Sequence, residues 1–155
     1  YVMGSHLLRL AAAVSVMDTM FGAAGVGRIG MVAVGDCALA AATVLTGDVA
    51  AHQGHNYEIT GPAAVTFAEV AACLSKILGR TIRYEDMPVE EFGQMLIEQA
   101  GYSPDTIEVD VLCHFRAFRR GDADLVTDTF EKLTGQAPTS IETFLEAHRA
   151  AFTQA

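Results

Sequence analysis

With 155 residues, 51% of them apolar, the chain is of single-domain length and has a core to bury. Its net charge of −9, from 19 acidic and 10 basic residues, excludes nucleic acid as a partner, because that partner requires a basic face. No apolar run reaches the roughly 18 residues of a membrane span. Arg9 interrupts the apolar stretch 7–16, and no cleavage site follows it, so this stretch is not a secretory signal. Cys37, Cys73 and Cys113 stand far apart among apolar neighbours, as small buried hydrophobes in a reducing compartment do. The expectation is one cytoplasmic domain over residues 1–155, with no membrane and no nucleic acid among its partners.

Residues 2–20 read as a helix, because Leu7, Leu10, Ala11, Val14 and Met17 recur at helical spacing. Residues 21–27, FGAAGVG, are a glycine-rich turn, and residues 28–34 read as a strand. Asp36 is placed to cap a helix over 37–46, and residues 47–54 are a polar loop. The stretch HNYEITGP, residues 55–62, reads as a buried strand that Gly61-Pro62 ends. A capping box, Thr66 with Glu69, then opens a helix whose face is Phe67, Val70, Ala71, Leu74 and Leu78 and whose C′ residue is Gly79. With a strand over 81–85, this makes a βαβ-like unit at the centre of the chain.

Pro88 starts a further helix that Gly101 ends, with Val89, Phe92 and Leu96 on one side. Ser103-Pro104 begins another, with a stripe of Glu108, Val111, Leu112, Phe115 and Phe118 and with Arg116, Arg119 and Arg120 at its end, where positive charge suits the helix dipole. Asp128 to Glu131 is a capping pattern for a short helix closed by Gly135. Thr139 to Glu142 opens the last helix, with Ile141, Phe144, Leu145, His148 and Phe152 on one face.

Several patterns that hint at chemistry have simpler readings. The glycines of residues 22–30 follow a predicted helix and precede a predicted strand, the reverse of a dinucleotide fingerprint. His52 and His55 lack the further ligands a metal needs, and Asp122, Asp124, Asp128 and Glu131 lack the spacing of a calcium loop. No nucleophile elbow, zincin helix, phosphate loop or Tyr-Lys pair is present. Tyr84 has nothing basic four residues on. Met3, Ser5 and His6 cluster beside the first helix start, where polar groups can face a ligand.

Four stretches in order carry a family likeness: VMGSHLLRL (residues 2–10), FGAAGVGRIGMVAVGDCALAAATVL (21–45), YEITGPAAVTFAEVAACLSKILGRTIRYEDMPVEEF (57–92) and TDTFEKLTGQAPTSIETFL (127–145). The chain resembles the C-terminal, substrate-binding half of NmrA-like proteins, atypical short-chain dehydrogenase/reductases that include NAD(P)H-dependent quinone and azo reductases. It departs from them at Ser5, where the family has asparagine, and at Ala33, where an aspartate is common. The N-terminal Rossmann half, with its strand, glycine turn and helix, has no counterpart here.

The resemblance implies an α/β fold: the helix-rich C-terminal portion of an NmrA-like Rossmann protein, with a few short, mainly parallel strands. It implies NAD(P)H as the family's cofactor, with none expected to bind this chain alone, no cofactor-binding residues and no metal. The substrate wall is expected at Met3, Ser5 and His6 by motif and at Phe21 after the first helix. Phe92 and Phe115 are added from helices expected to line a pocket. Catalytic residues are not assigned. The expected ligand is a small apolar or aromatic molecule. A mean hydropathy of +0.29 is high for an acidic chain and fits a surface meant for another chain. A homo-oligomer or a missing Rossmann half is therefore expected to cover the bare strand edge at residues 57–60.

Three functions follow. The first is the substrate-binding part of an NAD(P)H-dependent reductase of a quinone-, azo- or enone-type molecule, inactive alone. The second is a non-catalytic binding or regulatory module. The third is a cofactor-independent cyclase or dehydratase on an apolar substrate, using His6, Asp36 or His114 as acid or base. High alanine and a preference for arginine over lysine fit a GC-rich bacterial source.

Overall fold

The computed structural model describes residues 1–153, apart from the side chain of Ser5. It is a helix-rich α/β fold with one two-stranded parallel sheet. The first helix of the sequence reading is broken into α1 (Met3–Leu7), a 3₁₀ turn (Leu8–Leu10) and α2 (Ala11–Met17). Asp18, at φ 53°, then turns the chain into β1 (Thr19–Gly22). The predicted glycine-rich turn therefore starts as a strand.

The partner of β1 is β2 (Arg83–Asp86), in parallel register from Thr19 opposite Arg83 to Gly22 opposite Asp86. The parallel crossover thus exists, but its first strand is β1 rather than residues 57–60. Those residues form no ladder: Tyr57 is half-buried and Glu58 exposed, and the Thr60 hydroxyl instead accepts from the Thr127 amide at 2.9 Å. Residues 28–34 are likewise not a strand. Residues 29–33 are a buried connector held by single bridges, Ile29 to Val65 on one side and Val32 to Val2 on the other, and Val34 already belongs to the next helix. Both segments have the side chains of strands, but a ladder needs a neighbour along its whole length.

Between the strands run α3 (Val34–Thr46), α4 (Val49–His52) and α5 (Phe67–Leu78). Asp36 lies inside the first turn of α3 and does not cap it; its buried carboxylate accepts from the Thr139 amide at 2.7 Å and the Thr139 hydroxyl at 2.9 Å. The predicted loop 47–54 contains α4, capped by Asp48. On α5 both bonds of the capping box form, Glu69 N–H to Thr66 Oγ1 at 3.1 Å and Thr66 N–H to a Glu69 carboxylate oxygen at 2.8 Å. Its buried face is Phe67, Val70, Ala71, Leu74 and Ile77, and it packs against β2. Each of the larger side chains stabilises the fold by about 1.5–3 kcal/mol on burial.

The second half is α6 (Val89–Ala100), a π-helical turn (Glu108–Leu112), α7 (Cys113–Arg120), α8 (Thr129–Thr134) and α9 (Ile141–Ala147), with a 3₁₀ turn at Arg149–Phe152. The helix predicted from Ser103-Pro104 begins later, because Ser103 to Thr106 forms a turn first. Asp128 does not cap α8; it pairs with Lys132 at 2.8 Å. Ser140 caps α9 through the Thr143 amide, at 3.1 Å. The cysteines are also not buried as expected: Cys37 and Cys73 are half-buried and Cys113 is exposed. Among the described residues no helix is long and apolar enough to cross a membrane.

Candidate functional site

Three adjoining clefts open around the start of the chain, with volumes of about 600, 510 and 740 Å³. The first lies between the 3₁₀ turn, the end of α6 and the π-helical turn, and has His6, Arg9, Phe92, Tyr102 and Asp110 among its walls. The second shares His6, Arg9, Tyr102 and Asp110 and adds Tyr1 and His114. The third runs along α2 and α6, past Phe21, Met87 and Phe92.

Of the six residues expected to form the substrate wall, His6, Phe21 and Phe92 line these clefts. Met3 and Phe115 are core residues, 0% and 1% exposed, and line none of the three. They stand behind the wall: the Phe115 ring lies 5.2 Å from His6 and 4.8 Å, edge-on, from Phe92. The side chain of Ser5 is outside the described residues. Phe92, at 2% exposure, owes its place to the Pro88–Gly101 frame of α6. His6 stands among the rings of Tyr1, Phe67 and Phe115, with centroids 5.0–5.8 Å away. Burial, reinforced by the positive charge of Arg9, pushes its imidazole down to about 4, so it is neutral near pH 7. A neutral imidazole has one donor and one acceptor to offer a ligand.

Arg9, Tyr102, Asp110 and His114 were not singled out from the sequence as wall residues. Arg9 and Tyr102 are joined by a 2.7 Å hydrogen bond from the guanidinium to the phenol oxygen, across 93 positions of chain. Asp110 sits in the π-helical turn, a local distortion that often marks functional positions. Of the acid–base candidates, His6 and His114 share the second cleft, whereas Asp36 is engaged by Thr139 elsewhere.

The glycine-rich turn after β1 does not fit a dinucleotide pyrophosphate, though for a different reason from the one its sequence offered. A strand does precede it. However, no helix follows until Val34, and its amides are engaged: Ala24 N–H donates to Tyr84 Oη at 3.0 Å and Gly25 N–H to an Asp86 carboxylate oxygen at 2.7 Å. A carboxylate where a phosphate would sit repels it. Tyr84 donates in turn to the same oxygen at 3.0 Å, and burial raises its phenol pKa. Arg119 closes the cluster with bonds to Ala23 O (2.7 Å), Asp86 (2.6 Å) and Met87 O (2.8 Å). The basic cluster of α7 is fully paired, since Arg116 holds Glu90 and Glu108 and Arg120 holds Asp122. His52 and Tyr57 share a 2.8 Å hydrogen bond, and among the described residues no three acidic, histidine or cysteine side chains gather to hold a metal.

Among solved structures the chain superposes on an NADPH-dependent quinone oxidoreductase of Escherichia coli with a TM-score of 0.85, at 26% identity, covering 96% of this chain and 52% of that one. It superposes on the Citrobacter triphenylmethane reductase with a TM-score of 0.75, at 28% identity, covering 92% and 47%. The chain thus has the fold of about half of each of these two reductases. Among curated proteins, the chain is 31% identical to an NAD(P)H azoreductase of Xenophilus azovorans over 148 residues, covering 95% of this chain and 50% of the relative. It is 33% identical to the (4-alkanoyl-5-oxo-2,5-dihydrofuran-3-yl)methyl phosphate reductase of Streptomyces griseus over 117 residues, covering 76% and 40%. The chain spans half or less of the length of these curated relatives. No protein-family model matches it.

Proposed function

We propose that this chain is the substrate-binding part of an NAD(P)H-dependent, NmrA-like oxidoreductase acting on a quinone-, azo- or enone-type small molecule, and that alone it does not turn over. The observation that carries this reading is the cleft of about 600 Å³ in which Phe92 and neutral His6 meet, on a fold shared with quinone and dye reductases. Phe92 and its neighbours exclude water and stack on a flat apolar body. His6 gives that body one directional hydrogen bond, to a carbonyl or azo nitrogen, without placing a charge in the pocket. The dinucleotide, which supplies hydride chemistry in these relatives, is held by residues outside this chain, because the turn that comes nearest to a glycine fingerprint is already occupied by its own Tyr84 and Asp86.

The extended segment 55–62 bears on partners. Among the described residues it has no ladder neighbour, so either a dinucleotide-binding half or a second copy of the chain covers it. Calorimetric titration of NADPH into the purified chain, with its mass measured by light scattering on the same sample, tests the reading. The expected result is no heat of binding and no quinone-dependent oxidation of NADPH. Micromolar binding by the chain alone would overturn the division of labour proposed here.

A second reading rests on His6 and His114 lining one cleft with Asp110. That arrangement suits cofactor-independent proton transfer on an apolar substrate. It predicts conversion without NADPH that His114→Gln abolishes.

A further inference from the structure

Arg9 is the one residue that lines all three clefts. It is exposed, and among the described residues no carboxylate pairs with it; Arg28, Arg80, Arg116, Arg119 and Arg120 each have an acidic partner, while Arg83 and Arg149, like Arg9, have none but line none of these clefts. Its side chain is nonetheless held, because one guanidinium nitrogen donates to the Tyr102 phenol oxygen at 2.7 Å. A guanidinium has five N–H donors in a fixed fork. The bond to Tyr102 orients that fork and leaves most of it unused. In a chain of net charge −9, a cation held in place by a phenol and not neutralised by an acid favours an anionic ligand.

The neighbours decide where such an anion sits. Glu91 and Glu98 face the third cleft, and Asp110 faces the first and second. The first holds one carboxylate, Asp110, against the third's two, and only in the first do Ser103 and Thr106 join Arg9, with the apolar residues Leu10, Phe92 and Leu96, so the anion sits at the Arg9 end, away from Asp110. His6 there is neutral and adds no second positive charge. We propose that Arg9 is an anion anchor of the first cleft, so that the molecule held there has an aromatic or apolar body and an oxyanion, a carboxylate, sulfonate or phosphate ester, seated in the guanidinium fork. This rests on the cleft being the substrate site, as proposed above, and makes Arg9 a determinant of which substrates enter it.

Two fluorescent probes that differ only by the anion test this on the full chain: anilinonaphthalene sulfonate and its neutral parent, phenylnaphthylamine. The sulfonate is expected to bind about tenfold more tightly than the parent, the worth of a charge-assisted pair at a partly exposed site. Arg9→Met should erase that difference and leave the neutral probe unchanged, and Arg9→Lys should keep part of it. Far-ultraviolet circular dichroism checks that both variants fold; Arg9 is exposed and makes a single side-chain hydrogen bond, so they should. If the neutral probe binds, weakens on Phe92→Leu, and the sulfonate gains nothing from Arg9, the anchor is refuted while the cleft stands. If neither probe binds, both the cleft and the anchor fall.

Discussion

Arg119 is the fastener of the turn that follows β1, and replacing it with methionine should show how much of the fold depends on it. Its guanidinium reaches three places: the Ala23 carbonyl at 2.7 Å, the Met87 carbonyl at 2.8 Å and the Asp86 carboxylate at 2.6 Å. The two bonds to carbonyls contribute about 1 kcal/mol each. The ion pair, with both side chains 36% exposed, adds about 0.5 kcal/mol after solvent screening. Methionine keeps most of the apolar stem, so the loss is polar, about 2–3 kcal/mol. For a chain of this size that is a fall of about 5–10 °C in Tm. Urea unfolding measures the loss, with an unchanged m-value. Hydrogen exchange gives the local readout, since the Gly25 amide is bonded to Asp86, which Arg119 holds in place, and the Ala24 amide to Tyr84, which donates to that same Asp86. A loss below about 0.5 kcal/mol with unaltered protection at these two amides would refute the clamp.

Phe92→Ala should cost about 3–5 kcal/mol, measured by denaturant unfolding, because it empties a site 2% exposed and packed edge-on against Phe115. Phe92→Leu should fold and bind aromatic probes more weakly. The His6 imidazole ordinarily titrates at 6.5 and is pushed down to about 4 in the folded chain. The unfolded chain therefore takes up a proton first, so the stability this group contributes is full above 6.5 and is lost as pH falls from 6.5 towards 4. The loss amounts to about 3 kcal/mol. His6→Gln should flatten that part of the stability–pH curve, and an unchanged slope would remove His6 as its source. Gly61→Ala should cost about 2–3 kcal/mol by thermal melting, because a Cβ there runs into the Met31 carbonyl, and backbone on both sides cannot give way.

What was legible in the sequence was whatever depends on local chemistry. The capping box of Thr66 and Glu69, the helix it opens, the glycines that end α5 to α8 and the strand before Pro88 are short-range agreements between side chain and backbone, and each appears close to its expected place. What was not legible depended on partners distant in sequence. Residues 57–60 have the composition of a strand, but strand formation is a property of a pair. The chain pairs β1 with β2, which are separated by some sixty residues, and leaves 57–60 extended beside Thr127. Asp36 misled in the same way. At a helix start an aspartate reads as a cap, yet its oxygens are claimed by Thr139 from the far end of the chain.

The site divides along the same line. His6, Phe21 and Phe92 could be proposed because a family motif, a turn and a helix frame each mark a position, and the fold brings all three to adjoining clefts. Met3 and Phe115 carry the same apolar signal, but that signal does not distinguish a wall from the layer behind it. Of the polar half of the site, only His6 and His114 carried a signal. Arg9 reads as an interruption in an apolar run, Tyr102 as a residue after a helix stop, and Asp110 as one acid among nineteen. Only the fold places Arg9 against a phenol 93 positions away and sets Asp110 on a π-helical turn beside it. An apolar pocket can be inferred from periodicity, because apolar faces must be buried somewhere. Polar specificity cannot, because an exposed arginine costs nothing wherever it stands and acquires meaning from what faces it. For that reason the anchor proposed at Arg9 is a matter for the Arg9→Met exchange and not for the sequence pattern.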